Sequence, residues 1–253
     1  MIKIVIIGSG NVAQHLITAF AKSNEVDIVQ VFSRQKKSTV PLLDPTKITN
    51  DYKDLTEAHL YIIAVSDNAI ASVSSKLPFE NRLVVHTSGS VSIDLLDKKN
   101  RRGIFYPLQT FTKNVAIDFK PIPICLESEN ESDFDLLEKV AQSISNNAFN
   151  SDEKQRKALH VSAVFVNNFV NEMYRIGNEI CEENKVSFEV LKPLILETVN
   201  KVMVLSPNEA QTGPAKRNDT QTIEAHLDFL SNENQATIYK ILTQSIQNNG
   251  KEL

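Results

Sequence analysis

The stretch KIVIIGSGNVAQHLITAF (residues 3–20) joins three signals in one short run. Residues 3–8 form a continuous, β-branched apolar segment, the pattern of a strand covered on both faces. GSGNVA follows, with glycine at 8 and 10 and alanine at 13, which is the spacing G-x-G-x-x-G/A. A helical period then runs over residues 11–23, with Val12, Leu16, Ala19 and Phe20 on one face. Each small residue has a physical reason. Gly8 permits a tight strand-to-helix turn, Gly10 lets a pyrophosphate approach the backbone, and Ala13 lets the helix lie close to the strand. The phosphates would rest on the free N–H groups and positive dipole end of a helix starting near Asn11. The spacing alone is weak, but here it follows a buried strand and opens a helix, so it predicts a dinucleotide site with Gly8, Ser9, Gly10, Asn11 and Val12 around the phosphates.

The end of the second strand, VDIVQVFSR (26–34), is the next discriminator. An acidic residue there would bond the ribose 2′-hydroxyl and repel a 2′-phosphate. The sequence has FSRQKK (32–37) instead. Ser33 can donate to a phosphate oxygen, Arg34 can pair with it through two N–H groups, and Lys36 or Lys37 can add charge. A solvated basic turn would look the same, but its position favours NADP over NAD.

Further strands are expected at LYIIAVSD (60–67), RLVVHTSG (82–89), GIFYPLQTF (103–111) and PIPICLES (121–128), with a short one at NAFN (147–150). Helical patterns fall at 67–77, at 92–100 and at 133–145. Strands alternating with helices predict an α/β fold, a mostly parallel, doubly wound sheet. The loops AVSDNAI (64–70) and HTSGS (86–90) stand at carboxyl ends of strands, where such sheets bind ligands. Ala64, Val65, Ser66, Thr87 and Ser88 are therefore expected at the cofactor. Asp67 is either an N-cap or a ligand contact, and His86, inside an apolar run, reads as a satisfied core histidine.

After residue 152 the strand signal stops. Helical patterns cover 152–184, 188–205, 219–230 and 232–247, and a polar loop, SPNEAQTGPAKRND (206–219), separates the middle two. Composition thus divides the chain into an α/β domain, 1–152, and an all-helical C-terminal domain, 153–253. The 253 residues are 42% hydrophobic and 23% charged, with a net charge of −4. These values suit a globular protein and argue against a nucleic-acid binder. Cys125 and Cys181 match no disulfide or metal spacing, no metal site is expected, and no apolar run is long enough to span a membrane. The N-terminus lacks the features of a signal peptide, so a cytoplasmic protein is expected.

Two groups of polar residues mark the helical half. His160, Asn167 and Asn171 share a stripe on the first long helix, with Asn168 on its flank, among Leu159, Ala163, Val164, Phe165, Phe169 and Val170. The apolar company predicts a largely buried helix, in which these polar groups form a structural network or line a cleft. In TGPAKRND (212–219), Gly213-Pro214 makes a turn and Arg217 offers a fork for a carboxylate or phosphate. Asp219 can cap the next helix and pair with Arg217.

The motifs GSGNVA, AVSDNAI, VVHTSGS, FYPLQTF, LHVSAVFVNNF and TGPAKRNDTQTIEAHL, in this order, resemble bacterial Rossmann-like proteins with a helical C-terminal domain of unknown function. The first half is similar to the group of 6-phosphogluconate dehydrogenase, pyrroline-5-carboxylate reductase and F420-dependent NADP oxidoreductase. The resemblance implies a nucleotide-dependent oxidoreductase, a substrate cleft between the domains and a homodimer formed through the helices. It also brings in F420 as a family-level cofactor. In the hydroxyacid dehydrogenases of this group, a long helix after the Rossmann domain supplies a lysine and an asparagine beside the nicotinamide. His160 and Asn168 stand there in this chain, and no lysine does. They are accordingly the expected catalytic pair, with Arg217, Asn167 and Gly213 at a small, anionic substrate. A nucleotide-binding sensor without hydride chemistry is the alternative.

Overall fold

The computed structural model describes residues 1–35, 43–113 and 115–248. The chain falls into two compact units, Met1–Asn168 and Phe169–Leu253. This division comes later than the change of composition at 152/153, because the first helix past the strands is tied to the sheet by a buried arginine.

The first unit is built on one eight-stranded sheet, of spatial order β3-β2-β1-β4-β5-β6-β7-β8. The strands are β1 Ile2–Ile7, β2 Val26–Phe32, β3 Ile48–Thr49, β4 Leu60–Ile63, β5 Leu83–His86, β6 Arg101–Pro107, β7 Pro123–Ser128 and β8 Asn147–Asn150. Neighbours run parallel except β6 and β7, which are antiparallel, with Tyr106 opposite Cys125. The doubly wound α/β sheet expected from the alternating pattern is therefore present, and the two-residue β3 is an addition to it. Strand order reverses at β1/β4, the switch point at which open α/β sheets bind ligands.

Alternation along β1 explains the two layers. Ile4 and Ile6 face one side and join Leu16, Phe20, Leu137 and Val140 from α1 (Asn11–Phe20) and α3 (Glu131–Gln142). Val5 and Ile7 face the other side and join Tyr61, Ile63, Val84 and Ile70, the last from α2 (Ile70–Ser75). All four β1 side chains are wholly buried. At roughly 1.5–3 kcal/mol for each apolar side chain removed from water, the central strands dominate the stability of this unit.

The helical pattern expected over 152–184 is not one uniform helix. It comprises α4 (Glu153–Ala163), a π-helical segment at Val164–Phe169, and α5 (Val170–Glu183). Asp152 and Gln155 form a capping box at the start of α4. Arg156, wholly buried, pairs with Glu127 of β7 and donates to the Val91 carbonyl at 2.9 Å. Ser92 donates to Glu153 at 2.7 Å, so α4 is fixed at two points to the loop after β5. The expectation of a largely buried helix is corrected here: Val161 is 56% exposed and Val166 is 73% exposed. Apolar periodicity marks a face that packs, but not what it packs against.

The second unit contains α5, α6 (Lys192–Val204), the short α7 (Pro207–Ala210) and α8 (Pro214–Arg217), α9 (Thr220–Phe229) and α10 (Glu233–Asn248). The polar loop expected at 206–219 thus folds into two single helical turns. Asp219 caps α9 through Thr222, with bonds at 3.1 and 2.8 Å. His226 of α9 and Tyr239 of α10 share a 2.8 Å hydrogen bond. Among the described residues, no helix is long and apolar enough to cross a membrane.

Candidate active site

At the carboxyl edge of β1, β2 and β4 lies a cleft of about 640 Å³. Gly8 forms its floor with φ +138°, and a Cβ there would stand 2.1 Å from the Ala64 carbonyl oxygen of the adjoining segment. No L side chain fits, so this glycine sets how closely the turn crosses β4. Gly10, the N-cap of α1, is different: its added Cβ would meet nothing within 4 Å, and the backbone lies open to the cleft. The first turn of α1 carries no acidic residue to oppose an anion.

The cleft is lined by Gly8, Ser9, Gly10, Asn11, Val12, Ser33, Arg34, Ala64, Val65 and Ser66, ten of the thirteen residues expected at the cofactor. Lys37 lies outside the described residues. Thr87 and Ser88 do not line this cleft. Thr87 is buried at the end of β5, and the Ser88 hydroxyl accepts from the backbone N–H groups of Ser90 and Val91, both at 3.2 Å, closing the turn that follows. Asp67 is not the N-cap either. Ser66 takes that place, and Asp67 accepts a 2.8 Å hydrogen bond from Ser90.

Two further lining residues, Tyr52 and Lys76, went unnoticed in the sequence. Tyr52 stacks on Phe32 with ring centroids 4.2 Å apart, and burial raises its phenol above the usual range. Lys76 follows α2 and is, with Arg34, the second cation among the described lining residues. A lone lysine after a short helix has no motif to announce it.

A second cleft, of about 600 Å³, shares Asn11 and Val12 with the first. His160, Asn167 and Asn168 line it, opposite Tyr106 and the segment 108–111. Asn11 Nδ2 donates to the Phe111 carbonyl at 2.9 Å, and the ring nitrogens of His15 lie 2.8 Å from the Asn11 carbonyl and 2.9 Å from the Val115 carbonyl. These bonds hold the wall 108–111 against the start of α1. The π-helical segment supplies the opposite wall; an extra residue in the turn is a recurrent feature of functional sites.

His160 is anchored from behind. Its Nδ1 lies 3.1 Å from the Tyr106 hydroxyl, the rings meeting edge to face at 6.1 Å. Burial pushes the Tyr106 phenol up to about 12, with Cys125 and Asp67 adding to the effect. Gly89 passes directly behind the pair: an added Cβ would lie 2.6 Å from Tyr106 Cζ and 2.8 Å from His160 Nδ1. Gly89 did not stand out as a site residue, because the rings it passes belong to segments remote in sequence.

His86 is a core histidine, as its apolar run suggested. It is wholly buried, accepts from the Ser88 N–H at 3.1 Å through Nδ1, and sits 3.4 Å from the Ser92 carbonyl through Nε2. Burial lowers its pKa to about 4. Arg217 and Gly213 belong to the second unit. Gly213 has φ +100° and begins α8, while Arg217 ends it. The expected Arg217–Asp219 pair is not among the salt bridges, although the guanidinium contributes to holding Asp219 below the usual carboxylate range, after its bonds with Thr222.

Residues 3–89 match the family of NADP oxidoreductases described as coenzyme F420-dependent, and residues 122–246 match the domain of unknown function DUF2520. The crystal structure of BF3122 from Bacteroides fragilis, assigned as an NADP oxidoreductase, is 37% identical, with a TM-score of 0.88 over 97% of this chain and 98% of that one. The chain belongs to this family of NADP oxidoreductases. The oxidoreductase also shares its fold with TM1727 from Thermotoga maritima, at 20% identity and TM-score 0.78, over 98% of this chain and 100% of that one. A pyrroline carboxylate reductase from Plasmodium falciparum, solved with NADP bound, is 15% identical, with TM-score 0.61 over 98% and 100% of the two chains. No curated protein matches.

The residues of the oxidoreductase fit the family's cofactor, NADP. None of the described residues lining the first cleft is acidic, and Arg34 and Lys76 are cationic. The Ser33 hydroxyl, buried at the same edge, has no hydrogen-bond partner among the described residues. A polar group held dry and unpaired costs about 1–3 kcal/mol, which a phosphate oxygen would offset.

Proposed function

We propose that the protein binds NADP along the first cleft and catalyses hydride transfer to or from a small carbonyl or imine compound in the second. One observation carries this reading: the two clefts share Asn11 and Val12, so a dinucleotide bound past the GSGNVA turn would have the wall that holds His160 next to it. Ser33, Arg34 and Lys37 are assigned to the 2′-phosphate, and Gly8, Ser9, Gly10, Asn11 and Val12 to the pyrophosphate. Ala64, Val65 and Ser66 are assigned to the nucleotide's inner edge, with Thr87 and Ser88 supporting from the neighbouring turn. The nicotinamide supplies the hydride. His160 exchanges the proton with the substrate oxygen or nitrogen, while Asn167 and Asn168 orient the substrate through their amides.

A negative group on the substrate is proposed on the strength of Arg217, whose planar fork suits a carboxylate, with Gly213 fixing the turn before it. Arg217→Gln then raises KM at least tenfold for the acid but not for its neutral ester. A homodimer is proposed because the helical unit exposes large apolar side chains, among them Leu194, Leu196 and Met203, at 63%, 60% and 77%. Two free thiols, Cys125 and Cys181, suit the reducing cytoplasm.

His160→Gln is the functional test, run with carbonyl and imine substrates that oxidise NADPH. Turnover disappears while NADPH still binds with wild-type affinity. The sensor reading draws support from the second cleft, where no described lining residue is a lysine. Tight NADPH binding with no turnover across such a screen would favour it.

A further inference from the structure

We propose that Tyr106 is the positioning residue of this site: it donates to Nδ1 of His160, locks the ring, and leaves the proton of the neutral ring on Nε2. The proposal rests on the assignment of His160 as the proton-exchanging group, but it makes a claim about the resting protein that can be read without any substrate.

Among the described residues, His160 Nδ1 is the hydrogen-bond partner of the Tyr106 hydroxyl, at 3.1 Å. With no other acceptor among the described residues, the phenol O–H is paired only when Nδ1 is the imine nitrogen of the ring, whereas the Nδ1–H tautomer would leave that buried donor unmet. The phenol does not ionise at ordinary pH, since burial with Cys125 and Asp67 nearby holds it far above neutrality. It keeps its proton throughout, and its O–H can turn between donating to Nδ1 and accepting from it. Nε2 has no protein partner among the described residues, and His160 lines the second cleft. The structure around the pair is cut to fit, because any side chain at Gly89 would collide with both rings. From the other side, Arg156 and Glu153 fix α4 to the loop that carries Gly89.

The proton inventory then has a direction. In the neutral ring, Nε2–H can donate a hydrogen bond to a substrate oxygen but has no lone pair with which to act as base. Giving up that proton would leave an imidazolate or, through Tyr106, a phenolate, and both are unfavourable. The working acid is therefore the ring after it has taken a second proton from solvent, carried on Nδ1 with the Tyr106 hydroxyl turned to accept from it. In reduction, the hydride adds to the carbonyl carbon, the π pair becomes an alkoxide, and the alkoxide takes the Nε2 proton. The ring is left neutral with its proton on Nδ1, facing the Tyr106 oxygen, which now accepts. The resting arrangement returns when Nε2 regains a proton from solvent, Nδ1 loses its own and the phenol turns back to donate. The site is thus built for reduction, and oxidation requires the less stable Nδ1–H tautomer.

The test uses the full-length protein with 15N-labelled histidine and NADP bound, comparing wild type with Tyr106→Phe, which keeps the ring and its packing. In the wild type at high pH, the His160 proton is on Nε2, and Nδ1 gives the signal of a hydrogen-bonded acceptor. In Tyr106→Phe, that signal moves to the position of a free imine nitrogen, and some Nδ1–H tautomer appears. Gly89→Ala produces the same change without touching either ring's chemistry. Reductive turnover of the Phe variant falls roughly tenfold, the scale of one lost orienting hydrogen bond, with NADPH affinity unchanged. A proton on Nδ1 in the wild type, or identical nitrogen signals in the wild type and Tyr106→Phe, overturns the proposal. If the nitrogen signals behave as stated but His160→Gln keeps full turnover, the assignment of His160 fails while the Tyr106 contact stands.

Discussion

Acidification from pH 8 to pH 5 is expected to destabilise the first unit through His86. This ring is wholly buried at the end of β5, and it pins the turn that carries Gly89. Its pKa is lowered to about 4, chiefly by burial, with the Arg156 charge adding to the effect and the Ser92 carbonyl and Asp67 opposing it. The unfolded chain protonates near the ordinary value of about 6.5. Between those two values the unfolded state binds the extra proton, so stability is fully present above pH 6.5 and is lost as pH falls toward 4. The full loss is about 3 kcal/mol, and roughly 2 kcal/mol is already gone at pH 5. The carboxylates with lowered values, Glu129 and Glu153 among them, start from 4.5 or below and act mostly beneath this window. Urea unfolding at pH 8, 6.5 and 5 reads the slope, and an NMR titration identifies the ring. His86 stays neutral until about pH 4, while unfolding free energy falls by about 2 kcal/mol at pH 5. A His86 midpoint at or above pH 6, or a flat stability profile over this range, refutes the reasoning.

Other perturbations probe the site and its support. Arg34→Ala weakens NADPH about tenfold or more and leaves NADH within about twofold, as read by fluorescence titration, since the loss is a charge-assisted bond to the phosphate; equal losses for both cofactors would reject the 2′-phosphate assignment. Gly8→Ala abolishes binding of either nucleotide in calorimetry, because the methyl meets the Ala64 carbonyl at 2.1 Å; retained affinity would contradict the turn. Arg156→Met leaves Glu127 without its partner and costs about 3 kcal/mol or more of unfolding free energy. A change below about 1 kcal/mol would show that the ion pair does not anchor α4.

Much of this was legible in the chain. The strand-turn-helix at 3–20 carries the reason for its own geometry, because Gly8 and Gly10 are defined by local sterics. Ser33 and Arg34 after β2 were legible because a strand count places them at the edge of the cleft. The segment 11–23 ends as a helix at Phe20, since boundaries depend on capping rather than periodicity. The rest depended on contacts between distant segments. Tyr106 meets His160, Arg156 meets Glu127 and Val91, and Gly89 meets two rings, with no local pattern linking them. Thr87 and Ser88 have the composition of ligand contacts, but Ser88 spends its hydroxyl on closing a turn. The π-helical segment was hidden because VFVNNF keeps an ordinary helical composition. The apolar faces of the helical half are real in the sequence, yet periodicity gives no sign of whether the surface they cover lies in the same chain.

The central claim is that His160 works beside the reactive carbon of the nicotinamide. A crystal structure of the protein with NADP bound tests it most directly, through one distance. The account predicts His160 Nε2 within about 8 Å of nicotinamide C4, near enough for one substrate atom pair to bridge them. A longer separation, with Nε2 turned away from the nicotinamide, would contradict it.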